Sequence, residues 1–276
     1  MYPPVDPIIF QLGPVTLRWY GLLMLTAILV ASQIASRAVA RKGEDPDNLW
    51  DMIFWILLPG FLGARLYYVF IQSGRLGYYL QHPGQILQIW GGGIHIFGGF
   101  ILGGLALWLF TRIRRLNPLK YLDAIALGLP LAQAIGRWGN FINQELYGPP
   151  TPLPWGLRID RPHRIPPYND LGTYPDSTRF HPLFLYESLW NFVGFALIFW
   201  ISRRFEKDLK DGDIALLYLL WYPLGRFFIE FLRTDSWFFP GTAFNVVHIL
   251  SAIAVIVAVV GLYLRHRTPS SQVPEA

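Results

Sequence analysis

The sequence contains no cysteine, and only 15% of its 276 residues are charged. Without a thiol the chain has no disulfide, no thiolate metal site and no cysteine nucleophile, so any thiol chemistry must come from a substrate. It also lacks an HExxH motif, a P-loop and a GxSxG elbow, and its six histidines have no ligand spacing. These absences argue against a metalloprotease, a nucleotide-driven pump and a serine hydrolase.

Apolar residues dominate instead, at 53% of the chain. Seven apolar segments approach the roughly 20 residues that cross a bilayer. They lie at about 19–36, 49–71, 94–111, 121–139, 183–202, 213–232 and 244–264. Because lipid offers no partner to an open strand, each segment should be a helix. The sequence predicts an all-α integral membrane protein with about seven transmembrane helices.

The basic residues predict the orientation. The connections between spans lie alternately on the two sides of the membrane. Those on one side hold thirteen of the 23 lysines and arginines, including all four lysines, and those on the other side hold seven. The positive-inside rule then places the N-terminus outside and the C-terminus in the cytoplasm. A polar connection at about 143–182 becomes a small extracytoplasmic head between spans four and five. We expect one polytopic membrane domain over 1–268 and a disordered cytoplasmic tail over 269–276.

The densest polar motif, GRWGNFINQELYG, covers residues 136–148 at the end of the fourth span. Arg137 and Asn140 would share a helix face. A guanidinium beside amide donors suits a phosphate group. The alternative is an ordinary helix end, with Arg137 reaching the interface and the amides capping the chain.

A second motif places Arg226, Glu230 and Arg233 on one face of the sixth span, at spacings of four and three. Charges inside a membrane are costly, so these should face the bundle interior and pair. Arg226 would add positive charge to an anion site. Alternatively, the pair only holds helices together.

Three further features carry polar groups into the apolar spans. The glycine-rich stretch 90–99 opens the third span and contains His95, a candidate general base or a histidine simply bonded between helices. Its glycines could line a cavity or allow close helix packing. Glu187, inside the fifth span, needs a partner such as an arginine. Tyr20, at the outer end of the first span, either contributes to the site or belongs to an aromatic belt at the membrane interface.

Together these motifs resemble the bacterial prolipoprotein diacylglyceryl transferase family, over roughly residues 8–264. The resemblance rests mainly on 136–148, with support from 18–21, 91–99, Asp123, 181–187 and 225–233. It implies transfer of the sn-1,2-diacylglyceryl group of phosphatidylglycerol to the lipobox cysteine thiol of a prolipoprotein, which forms a thioether and releases glycerol phosphate. This reaction is the first step of lipoprotein maturation.

The resemblance also implies where the protein works and with what. The expected location is the bacterial plasma (inner) membrane. The expected partners are phosphatidylglycerol, prolipoprotein signal peptides with a lipobox cysteine, and the lipid bilayer. No nucleic acid, metal or organic cofactor is expected.

The resemblance assigns lipid binding to Arg137 and an essential role to Arg226. The candidate catalytic residues are Arg137, Arg226, Glu145, His95 and Tyr20. The candidate lipid-binding residues are Arg137, Asn140, Asn143, Gly148, Arg226 and Glu230. In this hypothesis the arginines clamp the phosphate, and either Glu145 or His95 accepts the thiol proton. Many family members carry a histidine where this chain has Phe97, two residues after His95.

Two other classes of protein fit the buried charges. A transporter or lipid flippase would use them as a pathway, but transporters often show paired repeats and none is visible here. A lipid-binding scaffold would tolerate loss of Glu145 and His95.

Overall fold

The computed structural model describes residues 1–13, 15–88, 92–239 and 241–267. The tail predicted to be disordered, 269–276, lies outside the described residues, as do Trp90 and Gly91. Eight α-helices lie within the described ranges. They are α1 (Trp19–Arg41), α2 (Pro46–Tyr67), α3 (Leu76–Gln81), α4 (Ile96–Ile113), α5 (Pro118–Ile142), α6 (Leu183–Arg204), α7 (Asp213–Glu230) and α8 (Val246–His266).

The helices confirm an all-α membrane protein, and each predicted apolar segment contains one long helix. Five are long and apolar enough to cross a membrane: α1, Pro46–Gln72, α4, α6 and α8. Pro46–Gln72 comprises α2 and the π-helical turn Tyr68–Gln72 that continues it. The two remaining long helices, α5 and α7, carry Arg137, Arg226 and Glu230. The count of seven spans therefore stays a prediction.

A short antiparallel hairpin precedes α1, formed by β1 (Ile8–Leu12) and β2 (Val15–Arg18). The sequence analysis did not predict it. The chain before the hairpin is fastened to the 143–182 connection. The amino group of Met1 donates to the carbonyl of Gly156 at 2.6 Å, and the N–H of Arg158 donates to the carbonyl of Met1 at 2.8 Å.

The contacts divide the chain into two compact units, one covering 35–122 and the other covering 1–34 with the chain from 123 onward. In the 35–122 unit, α2 packs against α4 through Gly63 and Gly98. A Cβ at either glycine would strike the backbone carbonyl of the other. Gly98 of the glycine-rich stretch therefore serves close helix packing, one of the two alternatives that the sequence left open for that stretch.

Arg65 of α2 holds two parts of the connection before α4 in the same unit. It is only 4% exposed. Its guanidinium donates to the carbonyls of Gln85, Ile86, Gly92 and Gly93, each at 2.8 Å. Bonds from a charged donor are strong, so one side chain fixes the backbone at both 85–86 and 92–93.

In the larger unit, a reciprocal tryptophan pair joins α6 to α7. The rings of Trp190 and Trp221 stack with centroids 4.5 Å apart. Each indole N–H donates to the backbone carbonyl of the other residue, at 3.1 and 3.0 Å. Gly225 lies against Trp190, and Gly194 lies against Trp221. This arrangement fixes the register of α6 against α7, and with it the relative positions of their charged residues.

The connection between α5 and α6 is compact. Tyr147, Leu157, Ile159 and Phe180 form its buried core. Arg164 is buried and donates to the carbonyls of Ile159 and Tyr174, at 3.0 and 2.7 Å. This packing supports the predicted head, although its side of the membrane stays a prediction.

Gly194→Ala should destabilise the protein, because the added methyl group would meet the indole of Trp221. Overpacking of this kind costs about 1–3 kcal/mol. Thermal unfolding of the purified protein in detergent would measure the loss. Gly104→Ala is the matched control, because a Cβ at that helical glycine has nothing within 4 Å. Equal melting temperatures for the two variants would contradict the packing role.

Candidate active site

Three arginines converge on one buried carboxylate, Glu187 of α6, whose side chain is 3% exposed. Arg137 of α5 forms an ion pair with its Oε2. Arg226 of α7 lies 3.9 Å from Oε1, and Arg233, just beyond α7, lies 3.5 Å from the same atom. The expectation that Glu187 pairs with an arginine is confirmed. A carboxylate in an apolar bundle requires such neutralisation.

The other carboxylates nearly balance the arginines. Arg226 Nη2 lies 2.7 Å from Glu230 Oε2, which confirms the predicted pairing across one helical turn. Asp235 accepts two bonds from Arg233, at 2.8 and 2.6 Å. The cluster is therefore a set of paired charges and not a simple positive patch. Arg226 Nη1 is nevertheless buried without a hydrogen-bond partner among the described residues. This nitrogen is the one 3.9 Å from Glu187 Oε1, so it faces a carboxylate but still has hydrogen-bonding capacity for an additional acceptor.

A chain of amides leads from the arginines to Glu145. Arg137 Nη1 donates to Asn140 Oδ1 at 3.3 Å, as expected for residues on one helix face. Asn140 Nδ2 donates to Glu145 Oε1 at 2.8 Å, and Asn143 Nδ2 donates to the same oxygen at 3.3 Å. Asn140 is buried and Glu145 is exposed. The carboxylate is thus held in place by amides yet open to an incoming group.

Two further candidate site residues, Tyr20 and Gly148, make packing contacts. The ring of Tyr20 lies against Gly139, where a Cβ would overlap it. Gly148 donates its N–H to the carbonyl of His181 at 2.9 Å, and a Cβ there would come within 2.9 Å of both His181 and the Leu232 carbonyl. Because it has no side chain, Gly148 lets the chain pass between the start of α6 and the end of α7.

His95 lies in the 35–122 unit. Its backbone is extended, and its Nδ1 accepts a bond from the N–H of Phe97 at 3.4 Å, which caps α4. Its ring stacks on Tyr67 with centroids 4.9 Å apart. These contacts give His95 a local structural role, and its role as a base stays a prediction.

Asn245, which the sequence analysis missed, holds Glu230 in place. Its Nδ2 donates to Glu230 Oε1 at 3.0 Å. Its Oδ1 accepts from the N–H groups of Val247 and His248, at 2.8 and 3.2 Å, and so caps α8. An asparagine before an apolar run is a recognisable N-cap signal, but its contact with Glu230 depends on the tertiary fold.

A cavity of about 580 Å³ adjoins the cluster on the α7–α8 side. Its lining includes Glu230, Arg233 and Asn245 with Phe231 and Phe244. Charged and aromatic walls together suit an amphiphilic ligand.

Comparisons with known proteins identify the family. The family model for prolipoprotein diacylglyceryl transferases matches residues 7–264. A phosphatidylglycerol–prolipoprotein diacylglyceryl transferase of Chloroflexus aggregans is 41% identical over 99% of this chain and 94% of its own length. Enzymes of the same name from Streptococcus agalactiae and Staphylococcus aureus are each 40% identical, over 95% and 92% of this chain and 97% and 87% of their own lengths. The chain therefore belongs to the prolipoprotein diacylglyceryl transferase family.

Proposed function

We propose that this chain transfers the diacylglyceryl group of phosphatidylglycerol to the lipobox cysteine of prolipoproteins. The cysteine sulfur attacks the glyceryl carbon that bears the phosphate. The carbon–oxygen bond breaks, glycerol phosphate leaves with the electron pair, and a thioether forms. Family membership supports this reaction. The structural observation that carries it is Arg226 Nη1, which shares Glu187 with Arg137 and makes no hydrogen bond to the described residues.

Arg226 and Arg137 clamp the lipid phosphate. The diester carries one negative charge and the departing monoester carries more, so a fixed guanidinium donor stabilises the leaving group as the bond breaks. Glu187 and Glu230 keep the guanidinium groups oriented before the lipid arrives. Because these partners are already in place, little reorganisation is needed during the reaction.

Glu145 accepts the thiol proton. A cysteine thiol has a pKa near about 8.5, so only a small fraction is thiolate at neutral pH and a nearby base raises the rate. Glu145 is exposed, and Asn140 and Asn143 fix its position. His95 is the alternative base.

The remaining assignments complete the proposal. The protein lies in the bacterial plasma membrane as one polytopic domain over 1–268, with its N-terminus outside and its C-terminus in the cytoplasm. The connection 143–182 is the extracytoplasmic head that admits the signal peptide. Tyr20 orients the lipid headgroup.

A reconstituted assay tests the reaction. Purified protein is incubated with phosphatidylglycerol and a lipobox peptide, and released glycerol phosphate and peptide mass are measured. We expect both products, with a diacylglyceryl mass gain on the peptide, and neither product with a peptide whose cysteine is replaced by serine. Folded, lipid-binding protein that yields neither product would refute the transferase function.

Arg137→Ala and Arg226→Ala should each lower kcat/KM by about 100-fold or more, because each removes a donor to the phosphate. Lysine at either position should restore little, since a point charge lacks the guanidinium fork. Arg112→Ala is the control: it removes an exposed arginine that stacks on Trp108 of α4. Wild-type turnover in both folded alanine variants would rule out the clamp.

Glu145→Gln should lower kcat by about 100- to 10,000-fold at neutral pH, the usual range for loss of a general base. The defect should shrink as the pH approaches the thiol pKa of about 8.5, because thiolate then forms without a base. His95→Gln should keep the wild-type pH profile of kcat. If His95→Gln instead shows the pH-dependent defect and Glu145→Gln does not, the base is His95.

A further inference from the structure

A second layer of polar side chains lies one helical turn from the ion cluster. Each residue of this layer is four positions from a cluster residue, on the side away from the 143–182 connection. Gln133 comes before Arg137 on α5, and Tyr222 comes before Arg226 on α7. Asn191 comes after Glu187 on α6. Four residues of helix correspond to about 6 Å. Asn191 is buried, and Gln133 and Tyr222 are half-buried, among apolar helices where a polar side chain is costly unless it is bonded.

The centre of this layer is a hydrogen bond between α5 and α7. Gln133 Nε2 donates to the hydroxyl of Tyr218 at 2.8 Å, and the ring of Tyr218 stacks on Tyr222 with centroids 5.8 Å apart. Gln133 Oε1 is buried and has no hydrogen-bond partner among the described residues. An unmet buried acceptor is uncommon in a native protein and calls for an explanation.

The Gln133–Tyr218 pair can present a donor at that position. If the side-chain amide of Gln133 rotates by half a turn, the Tyr218 hydroxyl donates to Gln133 Oε1. The amide N–H₂ group then occupies the position of the unpartnered oxygen. Gln133 and Tyr218 hold three polar protons between them, and their mutual bond uses only one. The pair therefore suits a ligand that accepts hydrogen bonds.

The diacylglyceryl group offers such acceptors. It has two ester carbonyls and no hydrogen-bond donor, and the carbonyls lie just inside the phosphate along the lipid. We propose that Gln133 and Tyr218 form an ester-binding subsite, in which they donate to an acyl carbonyl while the arginines hold the phosphate. This inference rests on the proposed function. It makes Gln133 and Tyr218 determinants of lipid specificity, because they would distinguish ester-linked from ether-linked chains.

The test compares two phosphatidylglycerols, one with ester-linked acyl chains and one with ether-linked alkyl chains of equal length. An ether lacks the carbonyl oxygen but keeps the phosphate and the reacting carbon. Wild-type protein should show a kcat/KM about 5- to 10-fold higher for the diester than for the diether. That ratio corresponds to the net free energy of one hydrogen bond. Gln133→Leu and Tyr218→Phe should each lower diester turnover to the level of the diether and leave diether turnover unchanged.

The outcomes separate this subsite from the reaction itself. If Gln133→Leu unfolds, Tyr218→Phe decides alone, since it removes only a hydroxyl. Equal losses on both lipids in the variants would show a purely structural pair and overturn the subsite, as would a wild type that does not discriminate. Wild-type protein that turns over neither lipid would instead refute the transferase function.

Discussion

The buried carboxylate of Glu187 is the constraint on which the rest of the larger unit depends. An unpaired charge inside an apolar bundle is strongly unfavourable, so the chain must bring cations to it. Arg137 comes from α5, and Arg226 and Arg233 come from α7 and the residues beyond it. The tryptophan pair between α6 and α7 sets the register that this convergence requires.

Pairing within the cluster also explains how the proposed phosphate site could be accommodated among apolar helices. An uncompensated group of three arginines would be too costly to assemble, whereas three arginines matched by Glu187, Glu230 and Asp235 are nearly neutral. One donor, Arg226 Nη1, remains without a hydrogen bond among the described residues. In the proposed reaction, the lipid phosphate would bind to groups that the protein has already oriented.

The sequence could predict what depends on local spacing. The Arg137–Asn140 and Arg226–Glu230 contacts follow from helical periodicity, and the long helices follow from apolar segments. Contacts between distant elements could not be predicted, because their geometry is set by packing. From the sequence, Asn245 is predicted only as an N-cap, because its contact with Glu230 depends on how α8 packs against α7. Asp123 of α5 likewise accepts from Gly212 and Ala215 at the start of α7, at 2.8 and 3.0 Å.

The two halves of the proposed reaction need opposite surroundings, and the 136–148 motif supplies both. Its helical end places Arg137 in the bundle, where low polarity strengthens attraction to a phosphate. Beyond the helix, Glu145 is exposed, where a thiol on a second substrate can approach it. Asn140 joins the two, accepting from Arg137 and donating to Glu145. A shift of the proposed clamp residue Arg137 would therefore move the proposed base Glu145 with it, and this coupling accounts for the close spacing of the polar residues at the end of α5.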